Sequence, residues 1–197
     1  MAITKLSDSS ITTGDKYISM LAGNTAFNPY NYESIATVTV GSGGAADVTF
    51  SSIPATYTHL QVRGIMRSDG TLDGFNTQFN SDTGSNYTRH RLYGGGSSAA
   101  ADASAPRTNI TLADGVLTSA GANIFGAVVF DTVDYANTNK YKTVRSLGGN
   151  DKNGSGTIWF NSGMWMNTNA ITSIKIFPGD GNWVQYTQFA LYGIKGA

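Results

Sequence analysis

The chain has 197 residues, enough for one ordinary domain with a hydrophobic core and too few for two large ones. Charged residues make up 13% of it, against roughly 25% in an average soluble domain, and 13 Lys plus Arg cancel 13 Asp plus Glu, so no sequence-wide field draws in free nucleic acid or an anionic membrane. Cysteine is absent, which excludes disulfides and thiolate metal sites, and no run approaches the roughly 20 apolar residues of a membrane-spanning helix. The polar surface falls to Asn, Ser and Thr, with 24 Gly, and near-neutrality suits a subunit held permanently against neighbours.

Residues 1–33 carry scattered apolar anchors at Leu6, Ile11, Tyr17, Leu21, Phe27 and Tyr30 without a sustained helical or strand period. This reads as an extended arm that lies on its own domain or on a neighbouring subunit. From Ile35 onward the pattern alternates: Ala36, Val38 and Val40 against Thr37 and Thr39, then Val48 and Phe50 against Asp47 and Thr49. The intervening Gly41-Ser42-Gly43-Gly44 predicts a hairpin, and Pro54 then interrupts the ladder because it has no N–H to give. Further strands are predicted over 59–67, with Leu60, Val62 and Met66 facing in, and over 74–80, 87–93, 107–112, 123–131, 140–147, 157–162, 171–177 and 185–194. Segments rich in Gly, Asn, Asp and Ser punctuate them, such as SDGTLDG, NSDTGSN and GGNDKNGSG. Only 97–104 has helical composition, and its Gly/Ser flanks make it equally a loop. The prediction is an all-β protein: residues 34–197 form a jelly-roll-like β-sandwich of about 8–10 antiparallel strands behind an N-terminal arm.

No catalytic constellation stands out. Glu33 is the one glutamate and lies where arm meets domain, Asp131 and Asp134 in FDTVDYA read as turn formers, and no G-x-S-x-G elbow occurs. His59 and His90 lack a second histidine at ligand spacing, and the loops Asp69-Gly-Thr-Leu-Asp73 and Asp151-Lys-Asn153-Gly-Ser155 lack the closing glutamate of a calcium loop, so neither a metal nor a cofactor is expected. One surface has binding character. Alternation puts Tyr87, Arg89, Arg91 and Tyr93 on one face, a stacking and hydrogen-bonding set suited to sugars or to a subunit contact. Trp159 alternates with Ile158 and Phe160; with those two facing the core it would face outward and join this set.

The stretches KYISMLAGNTAFNPYNYESIATVTVGSGGAADVTFSSIPATYTHLQVRG, NTNKYKTVRSLGGNDKNGSG and FALYGIKG resemble small structural proteins of tailed bacteriophages, including marine and cyanobacterial phages. The resemblance implies a non-enzymatic virion component, on head or tail, whose partners are copies of itself, often as trimers, and the major capsid protein or tail proteins. The start MAITKLSDSS has no apolar secretory core, so the expectation is synthesis in the host cytoplasm and release by lysis. No shaft of heptads or β-helical rungs is present, which favours a capsid decoration or cement protein docked by its arm over a long fibre. The competing expectation is a tail-associated protein that binds host surface polysaccharide through its aromatic face.

Overall fold

Alternation becomes pairing along nearly the whole chain that the computed structural model describes, residues 32–196. Twelve strands follow in order: β1 (Tyr32–Thr39), β2 (Val48–Phe50), β3 (His59–Met66), β4 (Gly74–Phe79), β5 (Tyr87–Gly94), β6 (Ala99–Arg107), β7 (Ile110–Asp114), β8 (Gly126–Val133), β9 (Lys142–Asp151), β10 (Gly156–Trp165), β11 (Ile174–Pro178) and β12 (Gln188–Ile194). All pairings between them are antiparallel. The proposed arm anchors Leu6, Ile11, Tyr17, Leu21, Phe27 and Tyr30 lie outside the described residues. The first strand begins at Tyr32, just before the expected boundary, with Tyr32 and Glu33 already paired to Ile194 and Gly193.

One sheet has the order β1-β12-β3-β8-β9-β10-β5-β6 and the other β2-β11-β4-β7. Without the hairpins β5–β6 and β9–β10, what remains is β1-β12-β3-β8 over β2-β11-β4-β7. The chain switches sheet at each of its first strands and returns its last beside its first, which is the jelly roll. The two hairpins extend one sheet sideways beyond β8. Their turns are local chemistry: Asn153 (φ 58°) and Gly154 (φ 103°) take the positive dihedrals of a tight Asn-Gly hairpin, closed by Lys152 N–H donating to Ser155 O at 2.7 Å.

Residues 97–104 correct the sequence reading. Residues 99–104 are the first part of β6, paired to β5 through Tyr93–Ala100, Arg91–Asp102 and Arg89–Ser104. Alanine favours helices in isolation, but the ladder of β5 leaves this segment only extended geometry, and tertiary pairing overrides a weak propensity.

Between the sheets, Leu60, Val62 and Met66 are buried as predicted. Phe75 anchors the centre, stacked on Phe189 at 5.6 Å between ring centroids and flanked by Trp183 at 5.8 Å and Phe130 at 6.5 Å. A second aromatic group ties the hairpins to the jelly roll: Trp165 lies 5.7 Å from Phe79 and 6.3 Å from Tyr87. Asp82 accepts from the Trp165 indole at 2.7 Å, and the Tyr87 hydroxyl donates to Asp82 O at 2.9 Å. Burial, with the nearby Asp82 charge, pushes the Tyr87 phenol up to about 12, so at neutral pH it is protonated and donates.

Strand β7 is the edge of the smaller sheet, and it lies directly on β9 and β10. Glycine makes that approach possible: a Cβ on Gly163 would sit 2.5 Å from Ile110 Cγ2, and one on Gly148 2.5 Å from Ala113 Cβ. The free edge of β7 is not left bare. Its Leu112 carbonyl accepts from Ser146 Oγ at 2.6 Å and from Asn161 Nδ2, so polar side chains of the larger sheet close the open side of the smaller one.

Candidate interaction surface

Pairing of β10 with β5 sets Trp159 opposite Tyr93, Asn161 opposite Arg91 and Trp165 opposite Tyr87, so the residues singled out in sequence do share one face. That face points inward. Tyr87 and Arg89 are buried, Arg91 and Tyr93 are half-buried, and Trp159 is only 5% exposed, whereas its neighbours Ile158 and Phe160 are 62% and 53% exposed. The expected orientation of Trp159 is therefore reversed. Two indoles, at Trp159 and Trp165, carry more apolar area inward than Ile158 and Phe160 could, and Asn161 between them supplies the donor that Leu112 O requires.

Inside, the set is self-contained. Asp102 bridges both arginines, accepting from Arg89 Nη2 at 3.0 Å and from Arg91 Nε at 2.8 Å. The Arg91 hydrogen bond, with the charge of Arg89, holds the Asp102 carboxyl below the usual carboxylate range despite partial burial. The Arg91 guanidinium lies 4.1 Å from the Trp159 ring centroid and 4.3 Å from that of Tyr93. Nearby, burial and the charge of Asp73 push the Asp114 carboxyl up to about 6. Trp159 Nε1 lowers that value somewhat yet makes no hydrogen bond of standard geometry, and Arg89 Nε and Asn161 Oδ1 likewise find no partner among the described residues. Each of these atoms is buried.

The outer face of the same strands has the opposite character. Register places Arg63, Val129, Leu147, Phe160 and Leu92 in one row across β3, β8, β9, β10 and β5. Ile65, Ala127, Gly149, Ile158 and Gly94 form the next row. Leu92 (55%), Leu147 (49%) and Ile65 (47%) join Ile158 and Phe160 as exposed large apolar side chains. An open trough of about 820 Å³ runs over this surface from Tyr192 to Ile158. At one end Tyr32 stacks on Tyr192 at 5.0 Å, with the Arg63 guanidinium above both rings. The sequence does not single out this surface, because the orientation it suggests for Trp159 supposes that Ile158 and Phe160 face the core.

The remaining candidates resolve into structural roles. The side-chain partner of Asp131 is Gln61 Nε2 at 2.8 Å, while Asp134 pairs with Lys140 and accepts from Asn137 Nδ2 at 3.1 Å, so the two aspartates serve separate contacts. His59 Nδ1 accepts the Asp134 N–H at 3.0 Å, and His90 stands exposed on the outer face. In the Asp-rich loops, Asp69 accepts from Asn182 N at 2.7 Å and Asp151 from Asn153 N at 2.8 Å. These are turn contacts; among the described residues no three His, Asp or Glu side chains gather as a metal site would require. Comparison with known proteins adds no name to this geometry: no family model, no curated protein and no solved structure matches the chain.

Proposed function

We propose that this protein is a non-enzymatic structural subunit of a bacteriophage virion, a capsid decoration protein whose sandwich packs against neighbours through the outer face of its larger sheet. The observation that carries the reading is the outer face of the larger sheet, where Ile65, Leu92, Leu147, Ile158 and Phe160 turn large apolar side chains to solvent across several adjacent strands. Contiguous apolar surface of this kind is rare on a free monomer and marks a surface that is covered in the working state. The sequence runs that resemble phage structural proteins, the weakly charged composition and the apolar anchors ahead of Tyr32 point the same way. Tail-associated glycan binding through Tyr87, Arg89, Arg91, Tyr93 and Trp159 is the weaker reading, because Tyr87, Arg89 and Trp159 are buried.

Purified particles of the virus that encodes the chain provide the test. Mass spectrometry is expected to find the protein in many copies per particle, and a particle map should show a jelly roll whose Leu147 and Phe160 face is covered. Absence from particles, or particles in which that face is bathed in solvent, would overturn the proposal.

A further inference from the structure

Resting on this assembly reading, we propose that the partner at the outer face is a second copy of the chain, packed face to face about a two-fold axis that crosses the strands at the level of Gly148. The two apolar rows lie on either side of that level, and along each strand they differ in size. β9 carries Leu147 in one row and Gly149 in the other, β5 carries Leu92 and Gly94, and β8 carries Val129 and Ala127. A two-fold axis lying in the interface and running across the strands reverses chain direction while keeping each strand opposite its own copy. The larger row of one copy then meets the smaller row of the other: Leu147 over Gly149, Leu92 over Gly94, Phe160 beside Ile158. An isologous contact has to be self-complementary in this way.

Charge follows the same symmetry. On β9 the outward positions just beyond the apolar rows are Arg145 on one side and Asp151 on the other, both exposed and neither in an ion pair among the described residues. Reversal about Gly148 sets Arg145 of each copy against Asp151 of the other, twice per dimer. Aligned packing of two twisted sheets at about 10 Å separation is an ordinary geometry for such a contact. Five strands at ~4.8 Å spacing, each contributing outward side chains over about 20 Å, cover on the order of 500 Å² per copy. That total of about 1,000 Å² is at the lower bound of specific interfaces, the class of weak and transient contacts, so the pair should dissociate on dilution.

The full-length protein tests this in solution by light scattering or sedimentation from 1 to 200 μM. The expected result is a mass that rises from one copy to two across the series. Arg145→Asp should hold the chain at one copy by setting like charges together, as should Asp151→Arg. The double variant, which restores opposite charges across the axis, should recover the dimer. A chain that stays single throughout the series, a three-copy mass, or a double variant that dimerises no better than the single ones would overturn the proposal. Failure of the dimer is separable from failure of the assembly reading, because Leu147→Asp would still abolish incorporation into particles if some other virion protein covers the face.

Discussion

On the inner face of the larger sheet, β12, β3 and β8 present Phe189, Leu191, Leu60, Val62, Val128 and Phe130, while the next four strands, β9, β10, β5 and β6, present Ser146, Asn161, Arg89, Arg91 and Asp102. Both regions belong to one continuous ladder, and what lies opposite makes them different. Against β12, β3 and β8 stands the apolar inner face of the smaller sheet. The hairpins meet β7, an edge whose carbonyls need donors, and so polar groups such as Ser146 and Asn161 enter their inward face between Trp159 and Trp165, while Ile158, Phe160, Leu92 and Leu147 point outward. Burial in a sandwich is therefore assigned strand by strand from the facing element, not from the hydrophobicity of the strand alone.

The largest expected effect comes from cutting the link between the two regions. Trp165→Ala removes the ring that bridges Phe79 of the jelly roll and Tyr87 of the extension and leaves Asp82 without its indole donor. Loss of a buried aromatic of this size costs ~3–5 kcal/mol, read as a fall in the denaturant midpoint. A loss below ~1 kcal/mol would mean that the extension hangs on the sandwich without contributing to its core.

Asp114 sharpens the comparison through pH, since it sits where the edge of β7 meets the extension. Its folded pKa of about 6 lies above that of an unfolded aspartate near 3.9, so folding favours the protonated acid. Its contribution is fully present below about pH 4 and lost as pH rises through 6, at a cost of up to ~3 kcal/mol. Asp114→Asn should thus raise the melting temperature at pH 7.5 and leave it nearly unchanged at pH 3.5. Equal effects at both values would show that the carboxyl does not feel the burial assigned to it.

Much of this architecture was legible in the chain and one aspect was not. Period-two alternation located nearly every strand, and the Gly, Asn and Asp segments located the turns, because both signals are local. Alternation also identified which residues share a face, since Tyr87, Arg89, Arg91, Tyr93 and Trp159 do. It could not say which face is inward, and the orientation with Ile158 and Phe160 toward the core is the reverse of the one observed. Comparing whole faces would have helped: the set Trp159, Asn161, Gly163 and Trp165 holds two tryptophans and a glycine that admits a crossing strand, against Ile158, Phe160, Ser162 and Met164. Strand β6 was missed for a different reason, since its alanines carry no strand signal and its pairing is supplied by β5.

The close approach of β7 to β10 gives a smaller effect. Gly163→Ala pushes a methyl group into Ile110 and should cost ~1–3 kcal/mol as overpacking. In an Ile110→Ala background the same change should cost much less, because the atoms it meets are gone. A double-mutant cycle by chemical denaturation measures this coupling, and additive costs would place β7 further from β10 than the structure does.

The smallest effect, at Ile158, separates the two faces most directly when set beside the same change at a buried isoleucine. Ile158 and Ile176 are both strand isoleucines, the first exposed on the outer face of the extension and the second fully buried beneath Trp183 in the jelly-roll core, where its carbonyl accepts from the Trp183 indole. Threonine keeps the β-branch and replaces a hydrocarbon arm by a hydroxyl, so strand propensity is nearly constant and burial is the variable. Ile176→Thr leaves an unsatisfied hydroxyl in the core and should cost ~2–3 kcal/mol. Ile158→Thr, measured at a concentration where single copies dominate, should stay within ~0.5 kcal/mol of the parent. The contrast follows from orientation alone, since the two residues are chemically identical. Matching losses at the two positions would return Ile158 to an interior, and with it the outward apolar surface on which the assembly reading stands.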